Sequence, residues 1–337
     1  MADKTPGEPL RIGILSTANI GRHFAAALQD ATMVEIVAVA SRDQAAADGF
    51  AARNAIPRAL GSYDALLADP AVEAIYNPLP NTLHAEWSIR ALEAGKHVLC
   101  EKPIAVTSAD ARAMFAAARR TGLHLVEAFP YRAQPQTLAL GDLIRSGEIG
   151  RPRIIQAGFG FPVANPDNIR LNAELGGGAL LDAGSYPVSL IRYLAGELPT
   201  QVSASATWTD SGVDGTLVAN LTFPDGLLAQ ASCAFGTGIY RRALVACEGG
   251  VVHTDYLNHC TTAEPGLLEI RRGGWEQTRD DQAFPPLSGF RAEAESFATL
   301  VRTGRGWTGM TEDESVDVMR MLEAIIASAR EGRPITL

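Results

Sequence analysis

Two short stretches of the chain carry side chains that could move a proton. In the first, an apolar run at 97–100 leads into Glu101 and Lys102, and in the second, Asp182 and Tyr186 follow three glycines at 176–178. A tyrosine, with an unperturbed pKa of about 10, becomes a proton acceptor when a nearby cation favours its ionised form. An amine, a carboxylate and a phenol are therefore the candidate catalytic groups.

The position of Lys102 after an apolar run points to a ligand site. In an α/β sheet, a strand that delivers Lys102 to its carboxyl end places an ammonium group where such sheets bind ligands. Pro103 favours an extended conformation at Glu101 and Lys102, which fixes the direction of the lysine. A solvated lysine at a strand end is the alternative interpretation of this residue alone.

Asp182 and Tyr186 are four residues apart and would share one face of a helix. Pro187 is tolerated only near the first turns of a helix, so both side chains are expected near its N-terminus. The partial positive charge there favours a carboxylate or a phenolate. In the alternative interpretation, Asp182 is an N-cap and Tyr186 a core aromatic residue.

The 337 residues exceed what one small core needs and fit two domains, with 47% hydrophobic and 20% charged residues. The polar segment 1–9 is expected to be a flexible tail, and no apolar run reaches the roughly 18 residues of a membrane span. A net charge of -9 and a pI near 5.2 argue against a nucleic-acid partner. We expect a cytoplasmic protein with neither nucleic-acid nor membrane partners.

The four cysteines are far apart and have no zinc-ligand spacing, so we predict buried or incidental thiols and no metal site. They are Cys100, Cys233, Cys247 and Cys260.

Up to residue 128, short apolar runs alternate with alanine-rich helical stretches, which predicts a parallel sheet covered on both faces. The runs are 11–15, 34–40, 74–76, 97–100 and 124–126, with helices near 19–29, 43–54, 82–94 and 108–121. This pattern is typical of a dinucleotide-binding Rossmann domain, which we place at 10–128.

From 129 to 337 we predict an α+β domain for substrate binding and oligomerisation. A helix near 135–146 precedes strands that are separated by turn signals, which predicts a large, mostly antiparallel, open-faced sheet. The strands are 152–159, 201–209, 217–223, 227–235, 241–247 and 267–271, and two helices near 289–302 and 311–331 end the chain.

The turn after the first strand has Ser16, Ala18 and Gly21 where a dinucleotide fingerprint has glycines. Small residues keep most of the space, so the helix N-terminus can still face a phosphate. An ordinary strand-to-helix turn remains the alternative.

The second strand ends in Ser41, Arg42 and Asp43. An arginine here accommodates the 2'-phosphate of NADP, whereas an acid binds the ribose hydroxyl of NAD. Arg42 and Ser41 favour NADP over NAD. Asp43 could instead cap the next helix or bind an NAD ribose.

Together, these motifs resemble the glucose-fructose oxidoreductase and inositol dehydrogenase (Gfo/Idh/MocA) family over nearly the whole chain. The resemblance includes 77–81 with His84, and 127–132 where the halves join. At 13–18 and 168–171 the sequence is most similar to D-xylose dehydrogenases and dimeric dihydrodiol dehydrogenases. Members of that subgroup use NADP and oxidise a hydroxyl of a sugar or cyclic diol.

The resemblance implies roles for individual residues, with Lys102, Asp182 and Tyr186 as the catalytic set. Implied cofactor contacts are Ser16, Thr17, Ala18, Asn19, Ile20, Ser41, Arg42, Tyr63, Pro78, Leu79, His84, Glu101 and Lys102. Implied substrate contacts are Tyr131, Arg132, Asn168, Arg170, Asp182 and Tyr186. Ala133 and Gln134 depart from the family pattern, in which a histidine often precedes Pro135, so the sugar specificity is open.

We therefore expect an NADP-dependent oxidoreductase in which Tyr186 takes the hydroxyl proton while nicotinamide takes the hydride. Lys102 would orient the hydroxyl and lower the pKa of Tyr186, and Asp182 would position Lys102 or the sugar. Three alternatives are a ketosugar or anhydrosugar reductase, an NAD-dependent glycosidase, and a nucleotide-sensing regulator. An uncovered sheet face predicts a homodimer or homotetramer.

Overall fold

The apolar runs of the amino-terminal half form a parallel sheet in the computed structural model, which describes residues 8–337. Its strands are β1 (Leu10–Leu15), β2 (Val34–Ala40), β3 (Ala59–Leu60), β4 (Ala74–Asn77), β5 (His97–Glu101) and β6 (Leu125–Ala128). They lie in the order β3-β2-β1-β4-β5-β6. Successive strands are added on one side from β1 to β3 and on the other side from β4 to β6, so the strand order switches between β1 and β4. Such sheets bind ligands at this switch point, beyond the strand ends.

Helices follow the strands as the sequence pattern predicts. They are α1 (Asn19–Ala27), α2 (Gln44–Arg53), α3 (Tyr63–Ala68), α4 (His84–Glu93) and α5 (Ser108–Thr121). The six-residue α3 was not among the predicted helices, and Ser62 caps it by accepting a hydrogen bond from the Ala65 amide. The side chains of Leu10, Ile12 and Ile14 are fully buried, as expected for a strand covered on both faces.

The second half contains a nine-stranded sheet. Its strands are β7 (Pro152–Phe161), β8 (Gln201–Trp208), β9 (Asp214–Thr222), β10 (Leu228–Phe235), β11 (Tyr240–Cys247), β12 (Gly250–Thr254), β14 (Gly266–Arg272), β15 (Thr278–Phe284) and β17 (Ile335–Thr336). They lie in the order β15-β14-β12-β11-β7-β10-β9-β8-β17, and β7 with β10 is a parallel pair among antiparallel ones. Two further two-residue strands are β13 (His259–Cys260) and β16 (Leu287–Ser288). The predicted fold class is confirmed.

Helices cover one face of this sheet. They are α6 (Pro135–Ser146), α7 (Ser185–Ala195) and α9 (Glu312–Glu331), and α7 packs against β7 and β10. On β9, Leu217, Ala219 and Leu221 are buried while Val218 between them is exposed. This alternation is typical of a sheet with one face covered and the other uncovered.

The described chain divides into two compact units. Unit 1 comprises residues up to 105, 109–133 and 287–312, and unit 2 comprises 106–108, 134–286 and 313–337. The predicted domains at 10–128 and 129–337 did not anticipate that α8 (Gly289–Thr303) belongs to unit 1. It does so because Phe290 and Phe297 pack into the same core cluster as Leu10 and Phe24.

The four cysteines are free thiols, and three of them are buried. Burial raises the pKa of Cys100 and Cys233 well above the ordinary value of a thiol. It also raises the pKa of Cys260, and it raises the pKa of the half-buried Cys247 to about 11. These thiols are therefore protonated at neutral pH.

Within residues 8–337, no helix has both the length and the apolar character to cross a membrane. The same residues contain no group of three or more histidine, cysteine, aspartate or glutamate side chains placed to hold a metal ion.

Candidate active site

The turn from β1 to α1 has a backbone shape that normally requires glycine. Ser16 has a φ of 101°, and its Oγ accepts a hydrogen bond of 3.2 Å from the Ala18 amide. α1 then begins at Asn19 without a side-chain cap at Ala18. An uncapped helix N-terminus presents backbone N–H groups that can bind an anion such as a pyrophosphate.

The two candidate ribose-binding residues at the end of β2, Arg42 and Asp43, have different partners. Asp43 caps α2, since its Oδ1 accepts a 2.9 Å hydrogen bond from the Ala46 amide. Arg42 is exposed and hydrogen-bonds the side chain of Tyr63. Burial raises the pKa of Tyr63, and the charge and hydrogen bond of Arg42 counteract that rise. The capping role of Asp43 is the one that agrees with an NADP site.

His84 ties the segment after β4 to the segment after β5. Its ring is fully buried, with Nδ1 2.8 Å from the Pro103 carbonyl oxygen and Nε2 2.8 Å from that of Leu79. Burial lowers the pKa of His84 to about 4, although both carbonyls act in the opposite direction. Pro78 is linked in turn to the first turn of the fold, since its carbonyl oxygen lies 3.5 Å from Ser16 Oγ.

Lys102 lies directly after β5, at the carboxyl end of the sheet. The chain has only three lysines, at positions 4, 96 and 102. The ammonium group of Lys96 donates to the carbonyl oxygens of Asp69 (2.7 Å) and Val72 (2.8 Å), which makes Lys96 a structural residue. Lys102 is therefore the lysine that the fold places at a ligand-binding edge.

Unit 1 contains three buried glutamates, and Glu101 is the residue directly before Lys102. Glu101 Oε1 accepts a 2.5 Å hydrogen bond from the Tyr76 hydroxyl, and Glu127 Oε1 accepts one of 2.8 Å from the Ile104 amide. Burial raises the pKa of Glu293 well above its usual range, and the charges of Glu101 and Glu127 add to that rise. Burial thus favours the protonated form of Glu293.

In unit 2, close approaches of neighbouring oxygen atoms require glycine at two positions of the triplet. Gly178 has a φ of 120°, and a Cβ there would lie 2.3 Å from Asp214 Oδ1. A Cβ on Gly177 would lie 2.5 Å from the Arg170 carbonyl oxygen. Asp214 Oδ2 accepts a 2.6 Å hydrogen bond from the Leu180 amide and so anchors the turn that carries Asp182.

Asp182 lies in a π-helical turn, Leu180–Gly184, that runs into α7. Pro187 lacks an N–H group for the carbonyl of Ala183, which explains why the helix widens there. The Asp182 carboxylate forms an ion pair with Arg170, whose backbone amide donates to Asn168 Oδ1 at 3.0 Å. The fold thus brings Asn168, Arg170 and Asp182 together.

Tyr186 lies in the first turn of α7 among polar and aromatic groups. Asn258 Nδ2 donates a 3.0 Å hydrogen bond to its hydroxyl oxygen. The guanidinium carbon of Arg241 lies 4.2 Å from the centre of its ring, and Phe159 packs edge-on against it at 5.5 Å. A cation and a hydrogen-bond donor therefore both contact the phenol of Tyr186.

Two known domain-family profiles match the chain. The profile described as "Oxidoreductase family, NAD-binding Rossmann fold" matches residues 10–129, and the "GFO/IDH/MocA C-terminal domain" profile matches 137–253. The chain belongs to the GFO/IDH/MocA family. This match confirms the family that the sequence motifs indicate. It also confirms the predicted enzyme class, an NAD(P)-dependent oxidoreductase that acts on a CH–OH group.

Relatives in the GFO/IDH/MocA family match along the whole chain. D-xylose 1-dehydrogenase (NADP(+)) 2 of Haloferax volcanii is 36% identical over 330 residues, covering 97% of this chain and all of the relative. The aldose-aldose oxidoreductase of Caulobacter crescentus, solved with glycerol, superposes with a TM-score of 0.88 at 30% identity, covering 98% and 100% of the two chains. KijD10, a 3-ketoreductase from Actinomadura kijaniata solved with NADP and TDP-benzene, gives a TM-score of 0.86 at 30% identity, covering 95% and 98%.

Among the residues predicted for the GFO/IDH/MocA substrate site, Tyr131 and Arg132 are deeply buried. Their side chains are 0% and 3% exposed, in a short turn (Pro130–Ala133) that packs against α8. Their role toward the substrate stays a prediction, as do the roles of the other predicted site residues.

Sequence reasoning missed Arg241 and Asn258 beside Tyr186. Arg241 lies on β11, and Asn258 lies 72 residues after Tyr186 in the loop that precedes β13. The one available signal was a pair of arginines, Arg241 and Arg242, at the start of an apolar strand.

Proposed function

We propose that this oxidoreductase uses NADP to oxidise a hydroxyl group of an aldose or cyclic diol. The observation that carries the proposal is the Tyr186 hydroxyl, held by Asn258 beside the Arg241 cation at the start of α7. The name of the Haloferax relative, an NADP-dependent D-xylose dehydrogenase, supports an aldose as the substrate. D-xylose is therefore the first compound to test.

The cofactor fits the residues of unit 1. The uncapped N-terminus of α1 would hold the pyrophosphate, and Arg42 with Ser41 would hold the 2'-phosphate of NADP. When bound, the nicotinamide supplies the acceptor for the hydride that leaves the substrate carbon.

The remaining chemistry falls to the side chains of the protein. As the carbonyl forms, the substrate hydroxyl proton passes to the phenolate oxygen of Tyr186, which becomes a neutral phenol. Arg170 and Asp182, held as an ion pair, offer donors and acceptors for sugar hydroxyl groups. Lys102 is the group that the sequence resemblance assigns to orienting the reacting hydroxyl.

A cofactor-reduction screen tests the proposal. Absorbance of reduced nicotinamide is followed with NADP or NAD against aldoses, inositols and cyclic diols. The reverse assay follows NADPH with ketosugars and nucleotide-linked ketosugars, because KijD10 is a 3-ketoreductase. Turnover of an aldose or diol supports the proposal, turnover of ketosugars alone supports the reductase alternative, and no turnover in either direction overturns both.

Arg42→Gln should abolish the preference for NADP, so that the enzyme uses NADP and NAD about equally well. A hydrogen bond to a charged group contributes about 1.5–3 kcal/mol, so KM for NADP should rise roughly 10- to 150-fold while KM for NAD stays unchanged. Steady-state kinetics with both cofactors measure this. Arg53→Gln, at the exposed end of α2, is the matched control. Equal losses with NADP and NAD would contradict a 2'-phosphate role for Arg42.

The uncovered face of the unit 2 sheet supports a homodimer or homotetramer. Ile154, Val218 and Leu228 are 45%, 40% and 53% exposed there, beside a cavity of about 340 Å³. Arg242 and Asp255 form an ion pair at that cavity, and a two-fold axis would place this pair against the same pair of a second copy.

Light scattering should accordingly give a mass of at least twice 35.7 kDa. Val218→Asp combined with Leu228→Asp should reduce it to that of a monomer, because two carboxylates would be buried without partners. A monomeric wild-type protein would contradict this surface as an interface, and His23→Asp on exposed α1 serves as the charge control.

A further inference from the structure

Arg241 and Asn258 form a connected pair around Tyr186. Arg241 Nη2 donates a 3.1 Å hydrogen bond to Asn258 Oδ1, and Asn258 Nδ2 donates a 3.0 Å bond to the Tyr186 oxygen. A guanidinium group can only donate, so the amide oxygen of Asn258 must face Arg241 and its NH₂ group must face Tyr186. The Tyr186 oxygen is thus an acceptor in this bond, and a phenolate accepts a stronger hydrogen bond than a neutral phenol does.

The guanidinium group of Arg241 is held against aromatic faces. Its central carbon lies 4.2 Å from the ring centre of Tyr186, 4.7 Å from that of Tyr256 and 5.0 Å from that of Phe159. Arg241 is only 9% exposed, so water screens its charge weakly. A cation attracts the face of a neutral phenol ring, and it attracts a phenolate more strongly because the charge is then opposite.

Neighbouring elements fix both residues. Arg241 pairs with Phe159 across the β11–β7 ladder, which places both side chains on one face of the sheet. Gln134 Nε2 donates a 3.1 Å hydrogen bond to the backbone oxygen of Asn258. The Tyr256 hydroxyl donates at 2.9 Å to the Gly158 carbonyl, so this second phenol is engaged with the sheet.

Three further ionisable side chains lie on elements next to Tyr186 and Arg241, namely Asp182, Cys233 and Cys260. On the turn before α7, Asp182 is paired with Arg170. Burial raises the pKa of Cys233 on β10 and of Cys260 on β13, so both thiols are neutral.

We propose that Arg241 and Asn258 are positioning residues that orient the Tyr186 hydroxyl and stabilise its ionised form, so that it exchanges a proton with substrate at neutral pH. This inference rests on the proposed function of Tyr186 as the acid/base. It adds a source of the required positive charge within unit 2.

The decisive experiment is the pH dependence of kcat/KM in Arg241→Met, which removes the charge and keeps a side chain of similar length. The acidic limb of the profile should move upward by about one pH unit or more, a roughly tenfold loss of kcat/KM below that limb. Arg145→Met is the matched control, because Arg145 also lies over a tyrosine ring, 5.1 Å from the centre of Tyr193. Its profile should not move.

A second readout does not depend on turnover. Tyrosinate absorbance is titrated in wild-type protein and in Tyr186→Phe, and the difference isolates Tyr186 among the seven tyrosines. The same difference measured in the Arg241→Met background should show ionisation at higher pH. If circular dichroism shows that Arg241→Met does not fold, Asn258→Asp provides the test. This variant replaces the amide donor to Tyr186 with a carboxylate and should also raise the pH at which Tyr186 ionises.

Unchanged Tyr186 ionisation in whichever of these variants folds would overturn the inference, even in an active enzyme. A wild-type protein that turns over no substrate in the screen overturns the proposed function instead, and the absorbance titration still decides the role of Arg241 and Asn258.

Discussion

Tyr186→Phe is expected to lower kcat by about 10² to 10⁴, the range typical of losing a positioned general acid or base. The variant keeps the ring that packs edge-on against Phe159 and faces Arg241, and it loses only the oxygen bonded by Asn258. NADP affinity should stay within a fewfold of the wild-type value, because Tyr186 belongs to unit 2 and the predicted cofactor residues to unit 1. Stopped-flow single turnovers and fluorescence titration of NADP measure the two quantities.

Tyr193→Phe provides the comparison for Tyr186→Phe. It removes a hydroxyl from the same helix, where Tyr193 is bonded by Arg145 at 3.2 Å. Its kcat should match the wild-type value. Full turnover by Tyr186→Phe would remove Tyr186 from the acid/base role.

Lys102→Met is expected to lower kcat/KM by about 10² to 10³, the loss typical of removing one donor aimed at the charge that develops on a reacting oxygen. Methionine keeps the length of the side chain and removes its charge. Folding should be retained, because the strand β5 that precedes Lys102 is held by Val98 and Leu99 in the core. Kinetics with the substrate found in the screen, together with a melting temperature, measure both properties.

Lys96→Met is expected to reduce stability and leave catalysis unchanged, the reverse of the effects expected for Lys102→Met. It leaves the carbonyl oxygens of Asp69 and Val72 without their ammonium donor, so the free energy of unfolding should fall while kcat of the folded enzyme is unchanged. A Lys102→Met variant with wild-type kcat/KM would show that this lysine does not act on the reacting hydroxyl.

Local patterns were enough to predict the parallel sheet and the placement of Lys102. Each of β1, β2, β4, β5 and β6 coincides with an apolar run, because strands buried on both faces need continuous apolar sequence. The edge strand β15 escaped prediction, since Thr278–Phe284 is exposed along nearly its whole length and shows no alternation. The membership of α8 in unit 1 was also not predicted, because no local pattern shows that Phe297 shares a core cluster with the distant Phe24.

The surroundings of Tyr186 were likewise only partly predictable from local sequence patterns. Its position near a helix N-terminus follows from Pro187, and the ion pair of Asp182 with Arg170 joins residues that the sequence had singled out separately. Arg241 and Asn258 reach Tyr186 through the order of strands in the nine-stranded sheet, which local spacing does not determine.

The protonated state of the native cysteines, three of which are buried, has a practical consequence. Maleimides and iodoacetamides react with thiolates, so Cys100, Cys233, Cys247 and Cys260 should resist these reagents in the folded enzyme. A single cysteine introduced at an exposed position such as Ser211 would then be the preferred attachment point for a dye. Fluorescent labelling for single-molecule work should therefore succeed without first replacing the native cysteines.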